Sequence, residues 1–292
     1  MQFLIPALFL SLVLALLCPQ VQAALKKALT AQPARVFFAP LGLSALFCLI
    51  AAGLNALSVP LAALMVAYTL IPTSCAYWIR RSWPPVWMDF GIILMLWFPL
   101  EFAVGARWTP PPVQGILHIA AYGVSVSLAL NLFLLFRRLE GMKYNLPRSA
   151  QDFTRLMIGF AASAPILLAA GMLTGFLPPF HLPPRWSPLA IGGQFLVILA
   201  ATALPEEILF RGLIQNALMQ KLGATTRTLL LASVIFGLAH LDNGPGPLPN
   251  WRYAIVAAIA GFAYGKVFQS SSSIFASAGL HALVNLIKHN CF

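Results

Sequence analysis

Polar positions are sparse and bunched in this chain, and apolar runs long enough to cross a bilayer lie between them. The pattern predicts helices at Phe37–Leu57, Pro60–Ile79, Phe90–Ala106, Gly115–Phe136 and Leu156–Leu177. Four more follow at Leu189–Leu209, Thr228–Leu241, Tyr253–Phe268 and Ser273–Ile287. The expectation is an all-α, polytopic transmembrane bundle of 8–10 helices, a range set by Pro60, Pro99 and Pro165, which fall where they kink or split a segment. An opening apolar run, Phe3–Leu17, has no positive residues before it and Lys26 and Lys27 after it. It reads as a retained first span with the N-terminus outside, although Val21-Gln22-Ala23 offers a weak signal-cleavage site.

Composition agrees with the pattern. The chain is 60% hydrophobic and 9% charged, against about 25% charged in soluble domains. The net charge of +11 comes from Lys and Arg in short connections, with no basic cluster interleaved with aromatics. These residues read as topology signals and contacts to anionic lipid, so nucleic acid is not the expected partner. Alternating the spans puts thirteen of them on one face and four (Arg107, Arg185, Arg252, Lys288) on the other, which makes the richer face cytoplasmic. The expected membrane is a bacterial inner membrane.

The longest polar segment, Arg137–Asp152, predicts a division into N-terminal helices of unassigned role (1–150) and a core, 151–292, that carries the chemistry. Pro-rich connectors are expected at Thr109–Pro112 and Leu177–Pro188, and another at Asn243–Pro249 to cap the site. The cysteines form no CxxC pair, and Cys291 is next to last, so the chain does not end in a C-a-a-X signal.

The chain has only seven acidic residues, yet Glu206 and Glu207 stand together in an apolar run with Arg211. Ionisable groups at bilayer depth are costly and mark functional sites by default. On a helix, Glu207 and Arg211 are one turn apart and pair, while Glu206 points about 100° away. One carboxylate is thus anchored and the other left for acid/base work. Two histidines follow in matching contexts: Phe236-Gly237-Leu238-Ala239-His240, and His281-Ala282-Leu283-Val284-Asn285, where the amide is placed to orient the ring. Helical rise puts Glu207 and His240 each about 20 Å from the Lys221–Arg227 turn and His281 about 16 Å from the turn at Ser270. All three motifs therefore fall in one layer.

EExxxR, FxxxH and HxxxN, in this order on separate apolar segments, resemble the CAAX-processing and bacteriocin-processing family of intramembrane proteases, which includes prenyl-protein endopeptidases. The resemblance covers Pro188 to His289 and implies an intramembrane endopeptidase acting on a membrane-associated protein or peptide, prenylated tails among the candidates. It implies a base role for Glu206 and Glu207 with His240, oxyanion or orienting roles for His281 and Asn285, and a wall or packing role for Phe236. On the residues alone, Glu206 with His240 and His281 is also an allowed Zn2+ shell with an open position, although no HExxH is present. Metal and metal-free water activation both stay open. So do two other classes: an immunity or scaffold protein that keeps the fold, and a proton-coupled transporter, against which no pair of corresponding broken helices is found.

Overall fold

The computed structural model describes residues 4–81, 87–181, 187–243 and 247–292. Arg185 and the centres of the stretches at 177–188 and 243–249 lie outside them, as does Phe3. Every regular element described is helical. Among the described residues, five helices are long and apolar enough to cross a membrane: Pro33–Gly53, Val59–Trp78, Pro111–Phe136, Ala150–Leu173 and Pro188–Leu222. A sixth arises if Leu4–Ala15 and Pro19–Ala31, bent by 79°, count together. The chain divides into two compact units, Met1–Glu140 and Gly141–Phe292.

The first unit holds α1 (Leu4–Ala15), α2 (Pro19–Ala31), α3 (Phe38–Gly53), α4 (Val59–Trp78), α5 (Trp87–Glu101) and α6 (Pro111–Phe136). Its interior contains one fork-to-fork ion pair. Arg137 Nε and Nη2 donate to the two Asp89 oxygens at 2.9 and 2.8 Å, and Nη1 donates to the Ile79 carbonyl at 2.7 Å. Arg137 therefore does not work as a solvated loop charge. It is buried because both its fork and the carboxylate are satisfied in place.

The second unit holds α7 (Ala150–Leu173), α8 (Pro188–Leu222), α9 (Thr226–Leu238), α10 (Trp251–Ser270) and α11 (Ile274–Cys291). The α9–α10 pairing depends on small residues. A Cβ on Gly237 would stand 2.5 Å from the Ala254 carbonyl oxygen, and one on Gly265 would stand 2.4 Å from Leu229 Cδ1. Bare backbone at these positions lets the helices approach closely, the use that Gly261-Phe262-Ala263-Tyr264-Gly265 suggests.

The turn between α10 and α11 is fixed by the segment before α7. Lys143 Nζ donates to the carbonyls of Phe268, Gln269 and Ser271 at 2.7 to 3.1 Å. Burial pulls the Lys143 pKa down from its ordinary value. Asp152 accepts from the Ser272 N–H at 2.7 Å and from its hydroxyl, while the Ser273 hydroxyl donates to the Asn145 carbonyl. The start of α11, and with it the height of His281, is set by these bonds.

Candidate functional site

Helix α8 does not break at Pro205. It widens into π-helical turns at Leu199–Ala203 and Ile208–Gln215, on either side of the α-helical residues Leu204–Glu207. Pro205 brings no N–H to the preceding turn, and a wider turn accommodates its ring without ending the helix. Such insertions recur at functional sites. Here they bracket the glutamates.

The two neighbours meet different surroundings. Glu207 is fully buried, with Oε2 3.3 Å from Arg211 Nε. That contact is electrostatic and lacks the direction of a hydrogen bond, since no guanidinium nitrogen of Arg211 has a hydrogen-bond partner. The cation is held instead between charge and aromatic faces, with Cζ 4.6 Å from the Phe236 ring centroid and 5.6 Å from that of Tyr264. Glu206 keeps 23% of its side chain exposed.

His281 links the pair. Its Nδ1 lies 3.2 Å from Glu207 Oε1 and its Nε2 3.8 Å from Glu206 Oε2. The ring stacks on Tyr264, with centroids 4.6 Å apart and planes 20° from parallel. Carboxylates on α8 and a ring on α10 thus contact His281. Asn285 lines a cavity of about 100 Å³ beside it, together with His240, Tyr253, Tyr264 and Lys288. Neither glutamate lines this cavity; both contact His281, which does.

His240 sits just past the end of α9, in the turn after Leu238. Its Nδ1 lies 2.8 Å from the Phe236 carbonyl oxygen. A carbonyl only accepts, so the Nδ1 proton is fixed there and the neutral ring's lone pair is on Nε2. Phe236 packs against both histidines, at 4.7 Å from the His240 centroid and 5.9 Å from that of His281. It is the common wall of the site.

Glu206, Glu207, Arg211, Phe236, His240 and His281 are thus brought together from three helices and one turn. Tyr253, Tyr264 and Lys288 join them. An aromatic residue in an apolar helix reads as packing, and Lys288, near a helix end, reads as a topology charge. The spacing of Tyr264 inside the glycine motif was the one signal for its place. Among the described residues, no three His, Cys, Asp or Glu side chains converge in a way that would hold a metal ion. Of the two neighbouring carboxylates, Glu207 is the one in contact with the fully buried Arg211 cation.

Residues 188–287 match the family described as type II CAAX prenyl endopeptidase Rce1-like. The match covers the motif-bearing third of the chain, the stretch whose residues carry the resemblance. No curated protein and no solved structure matches the chain. The Rce1-like match and the five apolar spans together make this an integral, multi-pass membrane protein.

Proposed function

We propose that the Rce1-like segment is an intramembrane endopeptidase that hydrolyses a peptide bond of a membrane-associated protein or peptide with a Glu/His-activated water. The observation that carries this reading is His281 standing between two unequal glutamates, one sealed against Arg211 and one partly exposed, on the wall of a cavity shared with His240.

The separation of 3.8 Å between Glu206 Oε2 and His281 Nε2 is too long for a direct hydrogen bond and suits two groups that share one water. With Nδ1–H donating to Glu207, His281 Nε2 is an acceptor in the neutral ring. One water O–H donates a hydrogen bond to Nε2 and keeps its proton; the other faces Glu206, which takes that proton as the oxygen attacks the scissile carbonyl carbon. The carbonyl oxygen becomes an oxyanion, and the Asn285 amide is the donor on the cavity wall for it. As the C–N bond breaks, the proton passes to the leaving amine, with His240 Nε2 sharing the transfer. Arg211 and Glu207 take no proton; they hold His281 in register. No step is routed through a metal.

The test uses purified protein in liposomes with an S-farnesylated peptide that carries a fluorophore on one side of its cleavable bonds. Wild type is expected to cut one bond, and Glu206→Gln and His240→Ala to cut none while keeping wild-type melting curves. Wild-type rates in either variant would remove the hydrolytic reading and leave a binding protein on the same fold.

A further inference from the structure

Lys288 has no role in the chemistry above, yet its ammonium sits at the same cavity. Nζ lies 4.4 Å from the ring centroid of Tyr253 and 4.8 Å from that of Phe176, and the two rings are themselves stacked at 4.6 Å. Among the described residues, no carboxylate comes within ion-pair distance of it. A half-buried cation set against aromatic faces, with the Glu206 charge acting on it from beyond contact distance, keeps its hydrogen-bond donors unspent. One ring separates it from the chemistry, since the His240 ring packs edge-on against the same Tyr253 at 4.7 Å.

We infer that Lys288, backed by Tyr253 and Phe176, is the subsite that binds a carboxylate of the substrate; the inference rests on the endopeptidase reading and deepens it. Lys288 follows His281 by seven residues, two turns on one face of α11, or about 10 Å along the axis. An extended peptide covers that distance in about three residues. The carboxylate thus belongs two to three residues beyond the cut bond, as the free C-terminus of the substrate or as an acidic side chain at that position. Apart from the site residues already named, the cavity wall is apolar and includes Leu167, Val256 and Ala260. Loss of that negative charge would leave the ammonium facing hydrocarbon. Carboxylate recognition by a point charge, without forked geometry, is what a lysine supplies.

Full-length protein carrying Glu206→Gln, reconstituted in nanodiscs, separates binding from cleavage. The probes are three fluorescent S-farnesylated peptides of one sequence: one ends in a free acid, one in a carboxamide, and one in a carboxamide with Asp three residues beyond the cleavable bond. The acid is expected to bind about tenfold more tightly than the plain amide, the scale of one charge-assisted contact. If the Asp peptide recovers that affinity, the subsite reads a carboxylate of either source; if it does not, the subsite reads the terminus. Lys288→Met keeps the apolar stem and should erase the difference, while Lys288→Arg should keep most of it. The Arg variant serves as the reference should the Met variant melt early. Equal binding of acid and amide, no binding of either, or a preference that survives Lys288→Met overturns the subsite. Cleavage of all three peptides at equal rates by the chain with Glu206 intact removes the subsite and leaves the endopeptidase. An acid preference with no cleavage by that chain does the reverse.

Discussion

Glu206 and Glu207 differ by one peptide unit and by almost everything else. On the proposed mechanism Glu207, sealed with Arg211 and His281, is worth more to the fold than to proton transfer. Removing one member of a buried ion pair costs about 3 to 5 kcal/mol because the survivor is stranded. Arg211→Ala should therefore lower the midpoint of denaturation in detergent by that order, and Arg211→Lys should restore part of it without the guanidinium over the Phe236 ring. Glu206→Gln should leave the midpoint near wild type and cut the hydrolysis rate by about 10² or more, the usual worth of a positioned base. The opposite pairing, with Glu206→Gln unstable and Glu207→Gln merely inactive, would exchange their roles. The ionisable members of this cluster are legible in the sequence because a charge in an apolar run is costly and so stands out. Tyr253, Phe176 and Tyr264 are not, because an aromatic side chain in such a run has a sufficient reason to be there already.

At the scale of elements, the site depends on how closely α9 and α10 approach. Gly237→Ala forces a methyl against the Ala254 carbonyl, and Gly265→Ala forces one against Leu229 and Gln215. Each should destabilise by about 1 to 3 kcal/mol, the range for overpacking. Gly192→Ala on α8, where a Cβ meets nothing within 4 Å, is the control and should be neutral or better in chemical denaturation. The segments that become α7 to α11 can be read from the sequence as apolar runs between polar turns. The π-helical turns around Leu204–Glu207 cannot, because hydropathy carries no mark of a locally wider helix. The departure of His240 from helix α9 into the following turn is also hidden, since the run stays apolar through Leu241. His281 shows the same limit in another form. Its spacing to Asn285 points along its own helix, whereas the contacts from α8 and α10 are ones that no local spacing reports.

At the scale of the whole chain, the all-helical membrane fold follows from composition and run length, and the buried Arg137–Asp89 pair shows where charge counting stops being informative. A loop lysine and a buried arginine look alike in sequence; only their partners distinguish them. The clamp that sets α11 is similar. Asp152 and Lys143 read as loop charges, yet their bonds fix the turn at residues 268 to 272. Asp152→Ala leaves the Ser272 N–H without its acceptor and should cost about 1 to 3 kcal/mol. It should also lower cleavage in step with the loss of His281's position. A thermal melt beside a rate measurement checks both, and a stability loss with unchanged rate would detach the clamp from the site.

The central claim is that this membrane protein cuts other membrane-associated chains with Glu206 as the base. The most direct measurement compares protein termini in membranes from cells carrying wild type with those from otherwise identical cells carrying Glu206→Gln, by quantitative mass spectrometry. Glu206→Gln membranes should accumulate at least one uncut membrane-associated protein or peptide whose shortened form is present with wild type, and re-expression of wild type should restore the cut. Identical sets of termini in the two membranes, with both proteins present at equal levels, would contradict it.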